Sequence, residues 1–120
     1  MEGDASSKRF WLPTSAIRPL ATRRGSCIAS DFITVGGRRI CYMYREEPND
    51  ALDSGWRFFS GDESQEYADV PSNFAIYDVN TIANYDPDII EFLDSPPGSA
   101  FGRESGGKFK LEPMPVDPDA

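Results

Sequence analysis

The chain has no histidine, only two cysteines, and no apolar run near the roughly 20 residues that span a bilayer. Without histidine there is no Ser-His-Asp or Cys-His catalysis and no imidazole proton shuttle. Cys27 and Cys41 form no Cys-x-x-Cys pair, which excludes zinc-finger ligand sets as well. The opening MEGDASSKRFWLP lacks a secretory apolar core, so a cytoplasmic protein with reduced thiols is expected. The two cysteines fall in runs that read as paired strands, so a disulfide stays geometrically open. Glycine-rich phosphate loops, a nucleophile elbow, interleaved basic–aromatic patches and internal repeats are all missing.

What is present is acidity and aromatic content. The 120 residues suffice for one core but not comfortably for two, and 39% hydrophobic with 12% aromatic residues supports a folded domain. The net charge is −8, unevenly spread. Residues 1–25 hold five basic residues against two acidic ones, and residues 26–120 hold seven against eighteen. An acidic body behind a basic arm repels nucleic acid and favours cationic partners. The plainer reading of the acidity is solubility.

Residues 1–25 show no sustained period and read as a flexible basic leader, with Phe10, Trp11 and Leu12 able to dock. Cys27 to Val35 and Arg38 to Arg45 read as strands, and Gly36-Gly37 between them suits a two-residue hairpin turn. Both faces of the second strand are largely apolar, which places it inside the sheet. Pro48 to Gly55 is a turn-rich loop, and Trp56 to Phe59 the next strand. A short helix over Glu63 to Tyr67 and a strand over Phe74 to Val79 follow. Asp78 to Asp88 reads as a polar junction. Asp86-Pro87-Asp88 opens a helix packed through Ile89, Ile90, Phe92 and Leu93. Ser99 to Arg103 and Lys108 to Leu111 make a closing hairpin, and residues 113–120 a proline-rich disordered tail.

The run from Tyr42 to Glu63 packs five aromatic rings around carboxylates. Strand alternation puts Trp56 and Phe58 on one face and Phe59 on the other, with Arg57 paired to a nearby carboxylate. Tyr42, Tyr44, Trp56 and Phe58 are the expected structural anchors. Glu46, Glu47, Asp50, Asp53, Asp62 and Glu63 are the candidate binding residues, since packing calls for no charge there. The loop lacks the ligand alternation and mid-loop glycine of an EF-hand, so no metal and no cofactor is expected. Asp62 and Glu63 are adjacent and point apart, which argues against catalysis by the pair.

The blocks YMYREEP, DSGWRFFSGDE and VNTIANYDPDI, in that order, resemble the bacterial domain of unknown function 2185, an immunity protein 33-like family. The resemblance covers Ser26 to Leu111. Gly102, in SAFGRE, departs from the family pattern, which has glutamate there. The resemblance implies a non-enzymatic domain that binds and neutralises a cognate protein toxin, here one with a basic surface. A housekeeping or regulatory binding domain for a small-molecule or protein ligand is the alternative. An enzyme using Asp62 or Glu63 is a third. The expected architecture is α+β: a leader to residue 25, a single domain over 26–112 with a mainly antiparallel sheet and one or two short helices on one face, then the tail. Neither nucleic acid nor membrane is an expected partner.

Overall fold

The segment Asp53–Phe59 (β3) is the most deeply buried strand, with Ser54 to Phe58 all inaccessible, and the sheet is built outward from it. A computed structural model of the chain describes residues 8–115. Six strands form one sheet: Ser26–Ser30 (β1), Tyr42–Arg45 (β2), β3, Phe74–Asp78 (β4), Ala100–Gly102 (β5) and Lys110–Glu112 (β6). Their spatial order is β4-β1-β3-β2-β5-β6. All neighbours run antiparallel except β1 and β3, which are parallel. Three short α-helices, Asp31–Thr34 (α1), Gln65–Ala68 (α2) and Val79–Tyr85 (α3), and 3-10 helices over Thr14–Ala16, Pro71–Asn73 and Pro87–Phe92 complete the α+β domain.

Strand alternation gives the sheet two unlike faces. On one, Cys27, Ala29, Met43, Trp56, Phe58 and Phe101 pack against Val79, Ile82 and Ala83 of α3 and against Ile89 and Leu93. Trp56 Nε1 donates to the Leu93 carbonyl at 3.2 Å, so the largest core ring leaves no buried polar atom unpaired. The opposite face carries Ile28, Tyr42, Tyr44, Arg57, Phe59, Phe74 and Ile76 by register. At its ends stand α2 and the loop between β2 and β3, and Tyr42 Oη donates to the Pro113 carbonyl at 3.3 Å.

The expected hairpin at Gly36-Gly37 does not form. Ser30 caps α1, its Oγ accepting from Phe32 N at 3.1 Å, so the chain turns into a helix where an unbroken strand was expected. Gly37 (φ +73°) then ends that helix, its N–H reaching the Ile33 carbonyl at 3.0 Å. A positive φ serves a helix cap as well as a hairpin, and here the cap wins. With β3 lying between β1 and β2, Cys27 and Cys41 are not on paired strands, and both are free thiols. Burial pushes the Cys27 thiol far up from its ordinary value.

The polar junction Asp78 to Asp88 also resolves differently. Asp78 accepts from Asn80 N at 2.8 Å and caps α3, whose Val79, Ile82 and Ala83 are fully buried. The outer face of that helix holds the leader. Asn80 Oδ1 accepts from Leu20 N and Ala21 N at 2.7 and 2.8 Å, and Asn84 Oδ1 from Arg18 N at 2.9 Å. Trp11 N donates to the Thr34 carbonyl at 2.7 Å, and Lys8 pairs with Asp31 at 2.9 Å. Residues 8–25, expected as a flexible leader, therefore lie along the domain, tied by side chains that satisfy their backbone. Residues 1–7 and 116–120 lie outside the described residues.

Candidate protein-binding face

At one end of the open face, the loop after β2 folds back over Arg57. The guanidinium is only 4% exposed and is held by two carboxylates. Asp53 takes it bidentately at 2.8 and 2.9 Å, and Glu46 accepts from Nε at 2.7 Å. Asp53 also accepts from Asn49 N and Gly55 N, which fixes the loop. The hydrogen-bonded Arg57 holds the Asp53 carboxyl well below the usual carboxylate range. Asp50 Oδ1 accepts from Leu52 N and Asp53 N at 2.9 and 3.0 Å, closing an Asx turn. Glu47 is exposed.

At the other end of β3, roughly 20 Å from Asp53 by strand geometry, stand Asp62 and Glu63. Asp62 pairs with Arg38 at 2.8 Å on an exposed surface. Glu63 turns inward, Oε2 accepting from Ser60 N and Ser60 Oγ and Oε1 from Gly61 N, at 2.8 to 3.0 Å. The six candidate carboxylates thus form no single cluster. Glu46 and Asp53 meet on Arg57, Asp50 shapes the same loop, and Asp62 and Glu63 diverge at the far end.

Between the two ends lies an aromatic saddle. The ring centroids of Tyr44 and Phe59 stack 5.8 Å apart, and Tyr42 lies 5.9 and 6.0 Å from them. All three are half-buried, whereas Trp56 and Phe58 on the covered face are 1% and 0% exposed. Burial raises both phenols, and the charges of Glu112 beside Tyr42 and Glu46 beside Tyr44 raise them further. Two clefts flank Tyr42. One, of about 650 Å³, runs along Gly102, Arg103, Glu104, Lys108, Lys110 and Glu112. The other, open to solvent and of about 210 Å³, is lined by Phe59, Gly61, Glu63, Ser64, Gln65 and Ala68. At Gly102 a Cβ would stand 2.9 Å from Glu112 Cγ, so the Glu112 side chain lies close over this glycine.

Apart from Glu112, these surfaces lie within one recognisable unit. The family model described as the immunity protein Imm33 domain matches residues 27–111, from β1 into β6. The chain belongs to the Imm33 immunity protein domain family. No curated protein and no solved structure matches it significantly. The Imm33 domain so bounded includes both ends of the open face and leaves the docked segment 8–26 outside.

Within this Imm33 domain a second ion cluster was not foreseen from sequence. Asp86, completely buried, caps the 3-10 helix and also accepts from Ile40 N at 2.9 Å and Arg103 Nη2 at 2.6 Å. Asp88 takes the other arm of Arg103 at 2.8 Å, and that guanidinium lies 4.2 Å from the Phe109 ring centroid. Asp86 signalled only a helix start; that it also anchors the sheet edge depends on a contact 17 residues away. Among the described residues no helix is long and apolar enough to cross a membrane.

Proposed function

We propose that this Imm33 domain is a non-enzymatic, cytoplasmic immunity protein that neutralises a cognate toxin by binding it through the open sheet face. The observation carrying this reading is the asymmetry of the sheet. One face is sealed by helices, while the other presents Tyr42, Tyr44 and Phe59 half-exposed between carboxylates. Aromatic rings with a polar rim are what interface centres are made of. Carboxylates stand at its edge, Glu46 beside Tyr44 and Glu112 beside Tyr42, with Lys110 lining the same cleft as Glu112. An acidic rim steers a basic toxin surface into contact and suits a toxin whose own ligand is an anion.

Asp53 supports this surface from beneath through Arg57. Glu47 and Asp62 make no bond that shapes the backbone and are the side chains freest to meet a partner. A regulatory domain with a small ligand is the second reading. It rests on the 650 Å³ cleft, whose size falls in the range of small-molecule sites.

The test is co-expression with the toxin domain encoded beside this chain's gene. Wild type restores growth, and Tyr44→Ala combined with Glu47→Lys loses protection while keeping the wild-type circular dichroism. A wild-type chain that protects against no neighbouring toxin ends the immunity reading.

A further inference from the structure

Of the acidic side chains that are not exposed, Asp31, Glu46, Asp53 and Asp86 each hold an arginine or lysine. Glu63 is the exception. Among the described residues no cation lies within ion-pair distance of it, and the groups that donate to it, Ser60 N, Ser60 Oγ and Gly61 N, are all neutral. Those bonds fix the carboxylate's position without cancelling its charge. Arg57, the nearest cation in sequence, is held by Asp53 and Glu46, and Arg38 is spent on the neighbouring Asp62.

This carboxylate lines the smaller cleft beside Tyr42. The ring centroids of Tyr42 and Phe59, 6.0 Å apart, form one side, and Gln65 and Ala68 of α2 the other. Aromatic faces carry negative potential, so two rings beside an uncompensated carboxylate select a cation over a neutral group. At about 210 Å³ the cleft is smaller than small-molecule sites, and its scale is that of one inserted side chain.

We propose that this cleft receives a single lysine or arginine side chain of the protein partner, with Glu63 as its counter-charge and Tyr42 and Phe59 as its walls. The proposal rests on the open face being the binding surface. It assigns that surface one anchor and assigns the partner a protruding cation. Burial alone would raise the Glu63 carboxyl; hydrogen bonds to its charged form, those from Ser60 N and the Ser60 hydroxyl among them, outweigh that and lower it. The charge is therefore in place at neutral pH.

Titration of the full chain with n-butylguanidinium, followed by carbon-edited NMR of the Tyr42 and Phe59 rings and the Ala68 methyl, tests the assignment. Saturable shifts at these groups are expected, with n-butylurea, the uncharged analogue, binding roughly tenfold more weakly. Glu63→Gln abolishes the preference for the cation. Because that change also touches the Ser60–Gly61 turn, Ala68→Leu, which fills the cleft from an exposed helix position, is measured beside it and blocks the shifts. Equal affinity for guanidinium and urea, or shifts unchanged in Ala68→Leu, overturns the proposal. So does full growth protection by Ala68→Leu against a toxin that wild type neutralises, which leaves the immunity reading standing. Cation-selective binding by a chain that protects against no toxin retains the receptor and discards the immunity reading.

Discussion

Replacing Asp53 by asparagine strands a buried guanidinium. Arg57 is 4% exposed, and Asp53, at 10%, supplies its two parallel hydrogen bonds. Removing one partner of a buried pair costs about 3–5 kcal/mol, because the remaining charge is left in a poor solvent. Glu46 still reaches Nε at 2.7 Å and is itself 45% exposed, so water can follow it in. That places Asp53→Asn at the low end, about 3 kcal/mol. Urea unfolding read by tryptophan fluorescence measures this, with an unchanged slope showing that the denatured state is the same.

A double-mutant cycle separates the pair from the packing. Arg57→Met removes the charge that Asp53→Asn strands, so the double variant loses less than the sum of the singles. The pH dependence gives an independent check. The unfolded Asp53 carboxyl takes up its proton near pH 4, whereas the folded one keeps its charge to lower pH. Below about pH 4 the unfolded chain therefore binds more protons, and the Asp53 contribution fades as acidity rises. The stability curve of Asp53→Asn is flatter over that range. A cost below about 0.5 kcal/mol, the scale of an exposed pair, or strictly additive singles, would show that Arg57 is solvated and refute this account.

Two further variants probe the covered face and the docked segment. Trp56→Ala empties the centre of the core and strands the Leu93 carbonyl, with an expected loss of about 3–5 kcal/mol. A loss under about 1 kcal/mol in urea unfolding would mean that the core collapses into the space. Asn80→Ala removes three bonds to the Arg18–Ala21 backbone, for an expected cost of about 1–2 kcal/mol. Its sharper readout is tryptic cleavage after Arg23 and Arg24, which accelerates. An unchanged rate would show that the segment is held elsewhere.

What was legible in the sequence was local. The two-residue period of Trp56, Arg57, Phe58 and Phe59 divides the faces of β3 whatever its neighbours are. Asp86-Pro87-Asp88 starts a helical turn by its own chemistry. What was not legible depended on distant groups. Gly36-Gly37 offers positive φ to a hairpin or to a helix end, and only the Ser30 cap decides between them. The VNTIANY run shows polar residues that look like a turn. They are the outer face of α3, and Asn80 and Asn84 are spoken for by a segment some 60 residues earlier. Strand order, with β3 intervening between β1 and β2, is a long-range pairing that no window of sequence displays.

The same distinction governs the carboxylates. Six acidic residues in one run look alike as letters, because charge is a property of the side chain and its use is a property of its neighbours. Asp53 and Glu46 neutralise Arg57, so their charges contribute less to the outer field than the count suggests. Asp62 is partly cancelled by Arg38. Glu63 has spent its hydrogen bonds on the backbone and hydroxyls yet keeps its net charge, and it does so beside two rings on the uncovered face. Counting charges made the whole run one acidic surface. Following each charge to its partner leaves Glu63 as the half-buried carboxylate of the six that no cation neutralises, and on the proposed reading puts the aromatic saddle, rather than the acidic loop alone, at the centre of the face.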